Sequence, residues 1–157
     1  MCKPSTKAFT FMEMMVVIVI IGVLAAVVIP QFGGITDQAR TAATEGGLGG
    51  VRSGIAGYRA KQLLAGNPPY PGLSDLTTVG LVMQSAIPAN PWNGFATVQA
   101  VAERQALNRT VSGHDRYGWN YFFDNAADPP RAIFYPNSDQ VTTVPDSAGG
   151  FKTANEL

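Results

Sequence analysis

Residues 14–29 read MMVVIVIIGVLAAVVI, sixteen consecutive positions without a polar side chain, set between Glu13 and Pro30. The apolar character extends back through Met12 and Phe11 to Phe9. As a helix, Phe9 to Pro30 would measure roughly 33 Å at 1.5 Å per residue, about the thickness of a bilayer's hydrocarbon core. The segment is therefore read as a membrane-spanning helix. Ahead of it lies MCKPSTKA, a short polar leader whose Lys3 and Lys7 favour the cytoplasmic side. The chain beyond Pro30 is expected to face outward, with the N-terminus cytoplasmic.

Working outward, the whole chain has 157 residues, 46% hydrophobic and 14% charged, which suits one folded unit with appendages rather than a disordered or multidomain protein. Eleven basic side chains balance eleven acidic ones, and no basic run offers a stripe for nucleic acid. Cys2 is the sole cysteine and His114 the sole histidine, so neither an intrachain disulfide nor a Cys- or His-based metal site can be built.

Two plain readings compete for the apolar segment. A cleaved secretory signal peptide could use Leu24-Ala25-Ala26 as its cleavage site, but sixteen residues is long for such a core. A single-pass anchor fits the length. Neither accounts for Glu13, since an unpaired charge at bilayer depth costs on the order of 2 to 3 kcal/mol.

The string Lys7-Ala8-Phe9-Thr10-Phe11-Met12-Glu13, followed by the apolar run with Gly22 and by Pro30, resembles the class III signal and N-terminal helix of type IV pilins and type II secretion pseudopilins. The resemblance implies that prepilin peptidase cuts between Ala8 and Phe9, and that the new amino group of Phe9 is methylated. It further implies that the hydrophobic segment is kept. Ala8 departs from the glycine more common before the cut, and Phe11-Met12 replaces the usual Leu-Ile or Leu-Val. By the same resemblance Glu13 neutralises the amino terminus of a neighbouring subunit during assembly. Gly22 and Pro30 stand where such filaments often loosen the helix, and both residue types weaken one. Cleavage would remove Cys2, leaving no cysteine for the disulfide-closed loop of many adhesive pilins, which shifts the likeness toward pseudopilins.

Beyond Pro30, Leu48, Val51, Ile55 and Tyr58 recur at spacings of three and four, a helical stripe. Six glycines between Gly46 and Gly57 weaken it, so the helix is either held by close packing or interrupted near Gly46 to Gly50. Gly66 before Asn67-Pro68-Pro69 is a firm stop. A short helix is expected within Leu73–Leu81, then turns from Ile87 to Gly94 with Trp92 against the long helix. Strands are expected at Phe95–Ala102, Tyr117–Phe123 and Ala132–Tyr135. In the second, Tyr117, Trp119, Tyr121 and Phe123 alternate to give an aromatic face that should cover the helix.

The expected fold is α+β, a long N-terminal helix packed on a small antiparallel β-sheet. It divides into a leader (1–8), a hydrophobic transmembrane and assembly helix (9–30), its continuation (31–66), an αβ loop with the sheet (67–137) and a polar tail (138–157). The expected function is a structural subunit polymerising into a type II secretion pseudopilus or type IV pilus-like filament. Its partners would be further copies of itself, other pilin-like subunits, prepilin peptidase and an inner-membrane assembly platform, with no nucleic acid. The competing reading is a membrane-anchored periplasmic binding module using Trp92, Trp119 and Tyr121. His114-Asp115 lacks a nucleophile or second base, so no enzyme is indicated. Major pseudopilins commonly bind calcium, and by that resemblance Asp124, Asp128 and Asp139 are candidate oxygen ligands, although their spacing matches no ligand string. Asn108-Arg109-Thr110 fits a glycosylation sequon that arises easily by chance.

Overall fold

The computed structural model describes residues 9–157; the leader, with Cys2, Lys3, Lys7 and Ala8, lies outside the described residues. The chain divides into two units, the first ending at Thr36 and the second running Asp37–Leu157.

In the first unit, helix α1 spans Phe11–Val28 and buries none of its residues. A helix apolar on every side has no single face to turn inward, so it needs a bilayer or other helices around it. Helix order runs unbroken through Gly22. It stops where the Ile29 amide makes its bond to Ala25 O at 3.0 Å, because Pro30 has no amide with which to continue the ladder. Helix α2, Gln31–Leu64, begins at the next residue, with Pro30 fixed in the position before a first turn where its missing donor costs little.

Most of α2 lies in the second unit, and its buried positions are Thr41, Thr44, Leu48, Val51 and Ile55, the three-and-four spacing of one helix face. The helix is continuous across Gly46 to Gly50, so the interruption does not occur, and close packing is found at Gly47 while Gly46, Gly49 and Gly50 face open space. A Cβ at Gly47 would stand 3.3 Å from the Pro88 side chain and 3.5 Å from the Trp119 ring. The threonines on this face satisfy their own hydroxyls, Thr41 donating to Asp37 O and Thr44 to Arg40 O, each at 2.8 Å.

After α2 come a short helix α3 (Leu73–Thr77), strand β1 (Val98–Ala100), helix α4 (Glu103–Leu107), and strands β2 (Trp119–Asp124), β3 (Arg131–Pro136), β4 (Val141–Pro145) and β5 (Phe151–Thr153). Helix α3 ends four residues before Leu81. Helix α4 is not foreseen from the sequence; the Gln105 side chain accepts from the Ala102 amide at 3.1 Å and starts it. The three-stranded sheet has the order β1-β2-β3 and is mixed rather than wholly antiparallel. β2 and β3 are antiparallel with Tyr121 opposite Phe134, whereas β1 runs parallel to β2 with Val98 opposite Trp119. The reason is connectivity: the chain leaves β1 through α4 and a loop before returning, a crossover that brings the next strand in along the same direction.

The core joins Leu48, Val51 and Ile55 of α2 to Leu76, Ile87, Trp119, Tyr121 and Phe134. Each large apolar side chain so buried contributes about 1.5–3 kcal/mol. Trp119 and Phe134 stack at 5.3 Å between ring centroids, and the aromatic face of β2 lies on the helix as its alternation predicts. Phe123, at the far end of that face, remains 37% exposed. On the opposite face of β2 Asn120 is buried too, in a polar network in which Gln99 donates to Asn120 (2.7 Å) and Asn120 to Asn137 (3.1 Å).

The segment expected to be a polar tail is instead a hairpin. Val141 pairs with Thr153 and Pro145 with Phe151, and the Asp146 carboxylate accepts from the Ala148 and Gly150 amides at 2.8 Å to close the turn. The Thr143 amide donates to Thr41 Oγ1 of α2 at 3.2 Å. Polar side chains thus make the local bonds that hydrophobicity alone did not announce.

Candidate functional site

The N-terminal end of α1 carries the most specific arrangement of side chains. Thr10 is the N-cap, in extended conformation, and its hydroxyl oxygen accepts from the Glu13 amide at 3.2 Å. Glu13 reaches back: its Oε2 accepts from the Thr10 amide at 2.9 Å and from the Thr10 hydroxyl at 3.0 Å. This is a capping box, two otherwise orphaned donors satisfied reciprocally at the end of the helix where the dipole also favours an anion. Around it Phe9, Phe11 and Met12 are 70% or more exposed, so the carboxylate sits in an apolar collar.

The partner of Glu13 within its own chain is therefore Thr10, a residue that the sequence reading quoted without assigning it a role. The Thr-x-x-Glu spacing ahead of an apolar run is the signal that would have found it.

Residues 3–29 match the prokaryotic N-terminal methylation motif. Over 113 residues the chain is 32% identical to the type IV narrow pilus major component PilA5 of Thermus thermophilus, covering 68% of this chain and 97% of that protein. The chain belongs to the type IV pilin and type II secretion pseudopilin family. It is also 28% identical to the type II secretion system core protein G of Klebsiella michiganensis over 130 residues, 73% of this chain and 88% of the relative. A shorter match, 36% over 59 residues, is to core protein G of Pseudomonas aeruginosa, covering 38% of this chain and 42% of that one. No solved structure matches significantly.

In this pilin-like chain the remaining predicted positions are placed as follows. Phe9 immediately precedes the cap and is 74% exposed, while its partner in the predicted cut, Ala8, lies outside the described residues. Gly22 is inside α1, and a Cβ there would meet nothing within 4 Å; Pro30 is in the break between α1 and α2. α1 is long and apolar enough to cross a membrane, and it anchors the chain there.

The calcium candidates do not form one ligand set. Among the described residues no three His, Cys, Asp or Glu side chains converge as metal ligands. The Asp124 carboxylate is engaged by the Ala126 and Ala127 amides at 2.9 and 3.1 Å, and Asp139 lines a separate groove beside Arg40 and Trp92. His114 is used through its backbone, its carbonyl accepting from Asn93 Nδ2 at 3.1 Å. Asp115 pairs with exposed Arg116 at 3.7 Å.

Two of the three aromatic residues of the binding-module reading belong to the core. Trp119 and Tyr121 are 0% and 1% exposed, with the Trp119 indole donating to Pro88 O and the Tyr121 hydroxyl to Pro71 O. Trp92 donates to Thr44 Oγ1 of α2 at 2.9 Å. The buried Trp119 and Tyr121 rings present no face on which a ligand could stack, whereas Trp92 is half-buried and lines the groove beside Arg40 and Asp139.

Proposed function

We propose that this protein is a structural subunit that polymerises into a type IV pilus-like or type II secretion pseudopilus filament through its N-terminal helix, and that it carries out no catalysis. The observation that carries the reading is α1 itself: eighteen residues, none buried, begun by a Thr10–Glu13 cap. In a bilayer such a helix is solvated by lipid; in a filament its apolar surface is covered by the same helix of other subunits, so one sequence serves storage and assembly.

The steps follow from that dual use. Prepilin peptidase removes residues 1–8 on the cytoplasmic side and the new amino group of Phe9 is methylated, leaving a cation one residue from Thr10. An inner-membrane platform then transfers the subunit to the growing filament. Glu13 exchanges its bonds to Thr10 for the amino terminus of a neighbour, a pairing that in apolar surroundings sets axial register more than bulk stability. The Gly22–Pro30 section yields as subunits pack, because Pro30 cannot donate and Gly22 contributes no side-chain contact to hold the turn. The lysines of the leader place the N-terminus in the cytoplasm and the Asp37–Leu157 unit beyond the membrane.

The test is site-specific crosslinking in a host that has the assembly machinery. With a photoreactive residue at Phe11, ladders of crosslinked subunits support helix-mediated polymerisation, while products confined to monomer in cells that make the protein overturn it.

A further inference from the structure

Asn93-Gly94 is the one place in the chain where asparagine precedes glycine. In an unfolded chain such a pair is chemically labile. The Gly94 nitrogen, with no side chain beside it to obstruct the approach, gives up its proton and attacks Asn93 Cγ. The Cγ–Nδ2 bond breaks and ammonia leaves. Water then opens the five-membered imide at either carbonyl, giving aspartate or isoaspartate, so water is the co-reactant and nothing is oxidised or reduced.

The fold holds both reacting groups elsewhere. The Gly94 amide donates to Asn90 O at 2.8 Å, which engages its proton, and the Gly94 backbone is fixed at a φ of +78°. The Asn93 carboxamide is half-buried and bonded at both ends. Its Nδ2 donates to the carbonyls of His114 (3.1 Å), Tyr117 (3.0 Å) and Asn137 (3.2 Å), and its Oδ1 accepts from the Phe95 amide at 3.2 Å. Buried Asn90 anchors the same turn, donating through Nδ2 to Gly118 O at 2.7 Å and accepting from the Trp92 amide at 3.0 Å. Attack on Asn93 Cγ therefore waits on opening of the 90–95 loop.

The three carbonyls around Asn93 also decide what the product does. An amide donates to them, whereas a carboxylate has acceptor oxygens and no proton to give. Carbonyls that lose their donor and face a negative charge disfavour the closed loop. Arg40, which lines the groove beside Asn93, is already engaged by Asp37 at 3.9 Å and by the Trp92 ring at 5.8 Å, so a carboxylate at position 93 would compete for it rather than find it free. Isoaspartate adds a carbon to the main chain of a turn that the Gly94–Asn90 bond has already closed.

We infer that Asn93 is a modification site controlled by folding. The closed loop preserves its amide, a chain whose 90–95 loop stays open converts it to aspartate or isoaspartate, and the converted chain no longer closes the loop stably. Deamidation at this position turns delay in folding into a permanent change. The site lies in the Asp37–Leu157 unit, and the inference rests neither on α1 nor on filament assembly.

The experiment is peptide mapping by mass spectrometry of the detergent-solubilised full chain, held in mildly alkaline buffer either native or unfolded in guanidinium chloride. Asn93 is expected to be the first asparagine to convert in the unfolded chain, and to convert about tenfold or more slowly in the native one. Asn93→Asp, which tests the product, is expected to lower the folding equilibrium constant about tenfold or more. Failure of that variant to fold also supports the effect on the loop, and the conversion rates of the parent need no variant to be decisive. The inference is overturned if Asn93 converts as fast in the native chain as in the unfolded one, if another asparagine converts before it in the unfolded chain, or if Asn93→Asp is as stable as the parent.

Discussion

Glu13 Oε2 accepts from both the amide and the hydroxyl of Thr10, at 2.9 and 3.0 Å, so the one carboxylate in α1 is already satisfied inside its own subunit. This changes what a carboxylate in an apolar helix means. It need not stay unpaired, because the capping box holds it at the helix terminus within its own chain.

Two substitutions separate capping from charge. Glu13→Gln keeps a side chain able to accept from Thr10 and is expected to insert and be processed normally, yet to form few filaments, because the neutral amide cannot pair with a cationic amino terminus. Thr10→Ala removes the cap hydroxyl and is expected to lower helix stability by about 1 kcal/mol while retaining filaments. Sheared-filament yield from the two variants is the measurement, and a normal yield from Glu13→Gln would remove the proposed charge role.

Asn137 is fully buried and joins three segments: its Oδ1 accepts from the Ser112 amide (3.0 Å) and from Asn120 (3.1 Å), while its Nδ2 donates to Ser112 O (2.8 Å) and Tyr117 O (2.9 Å). Asn137→Ala strands several buried groups at once. The expected loss is about 2–4 kcal/mol in a denaturant titration followed by tryptophan emission. Both tryptophans lie in the Asp37–Leu157 unit, so the signal reports that unit alone. A change below about 0.5 kcal/mol would mean that water replaces the network.

Gly118 is buried where β2 begins, and a Cβ built there would lie 1.7 Å from Phe95 O. The Gly118 amide also donates to Thr97 O at 2.9 Å, so the backbones cannot part without losing a bond. Gly118→Ala is expected to cost about 3 kcal/mol or more, visible as protease sensitivity of the full chain. Parental resistance to protease would show that the Phe95 loop moves freely.

Burial first, and the nearby Tyr70, Tyr58 and Asp75, push the Tyr121 phenol well above its ordinary 10.0. The folded state therefore holds its proton more tightly than the unfolded chain does. The resulting stability is complete below about pH 10 and is lost as pH rises above it toward the folded value. Denaturant midpoints should be level up to about pH 10 and decline as pH rises above it. Tyr121→Phe should flatten that decline and lower stability near neutrality by about 1–2 kcal/mol, since Pro71 O loses its donor. An alkaline decline as steep in Tyr121→Phe as in the parent would assign the effect to other groups.

What was legible in the sequence followed hydrophobic periodicity. The run from Met14 to Ile29 marks a helix by its length and unbroken apolar character, while the stripe through Leu48, Val51 and Ile55 and the Trp119–Tyr121 alternation place apolar side chains at a spacing that only one secondary structure can bury together. What was not legible depends on polar bonds or on connectivity. The hairpin formed by Val141–Pro145 and Phe151–Thr153 is held by Asp146 and Thr41, and α4 by Gln105, side chains that read equally well as loop. The parallel pairing of β1 with β2 follows from where the intervening chain crosses, which no local pattern records. At the candidate site the roles of Phe9 and Glu13 came from resemblance, whereas the Thr10 partner was available in the spacing itself.

The central claim is that this chain is a filament subunit whose α1 is retained and used for assembly. Intact mass and N-terminal sequencing of polymers sheared from a host with prepilin peptidase test it most directly. The account predicts polymers whose subunits begin at a methylated Phe9. Recovery of the protein only as monomer, beginning at Met1 or just after Ala26, would contradict it.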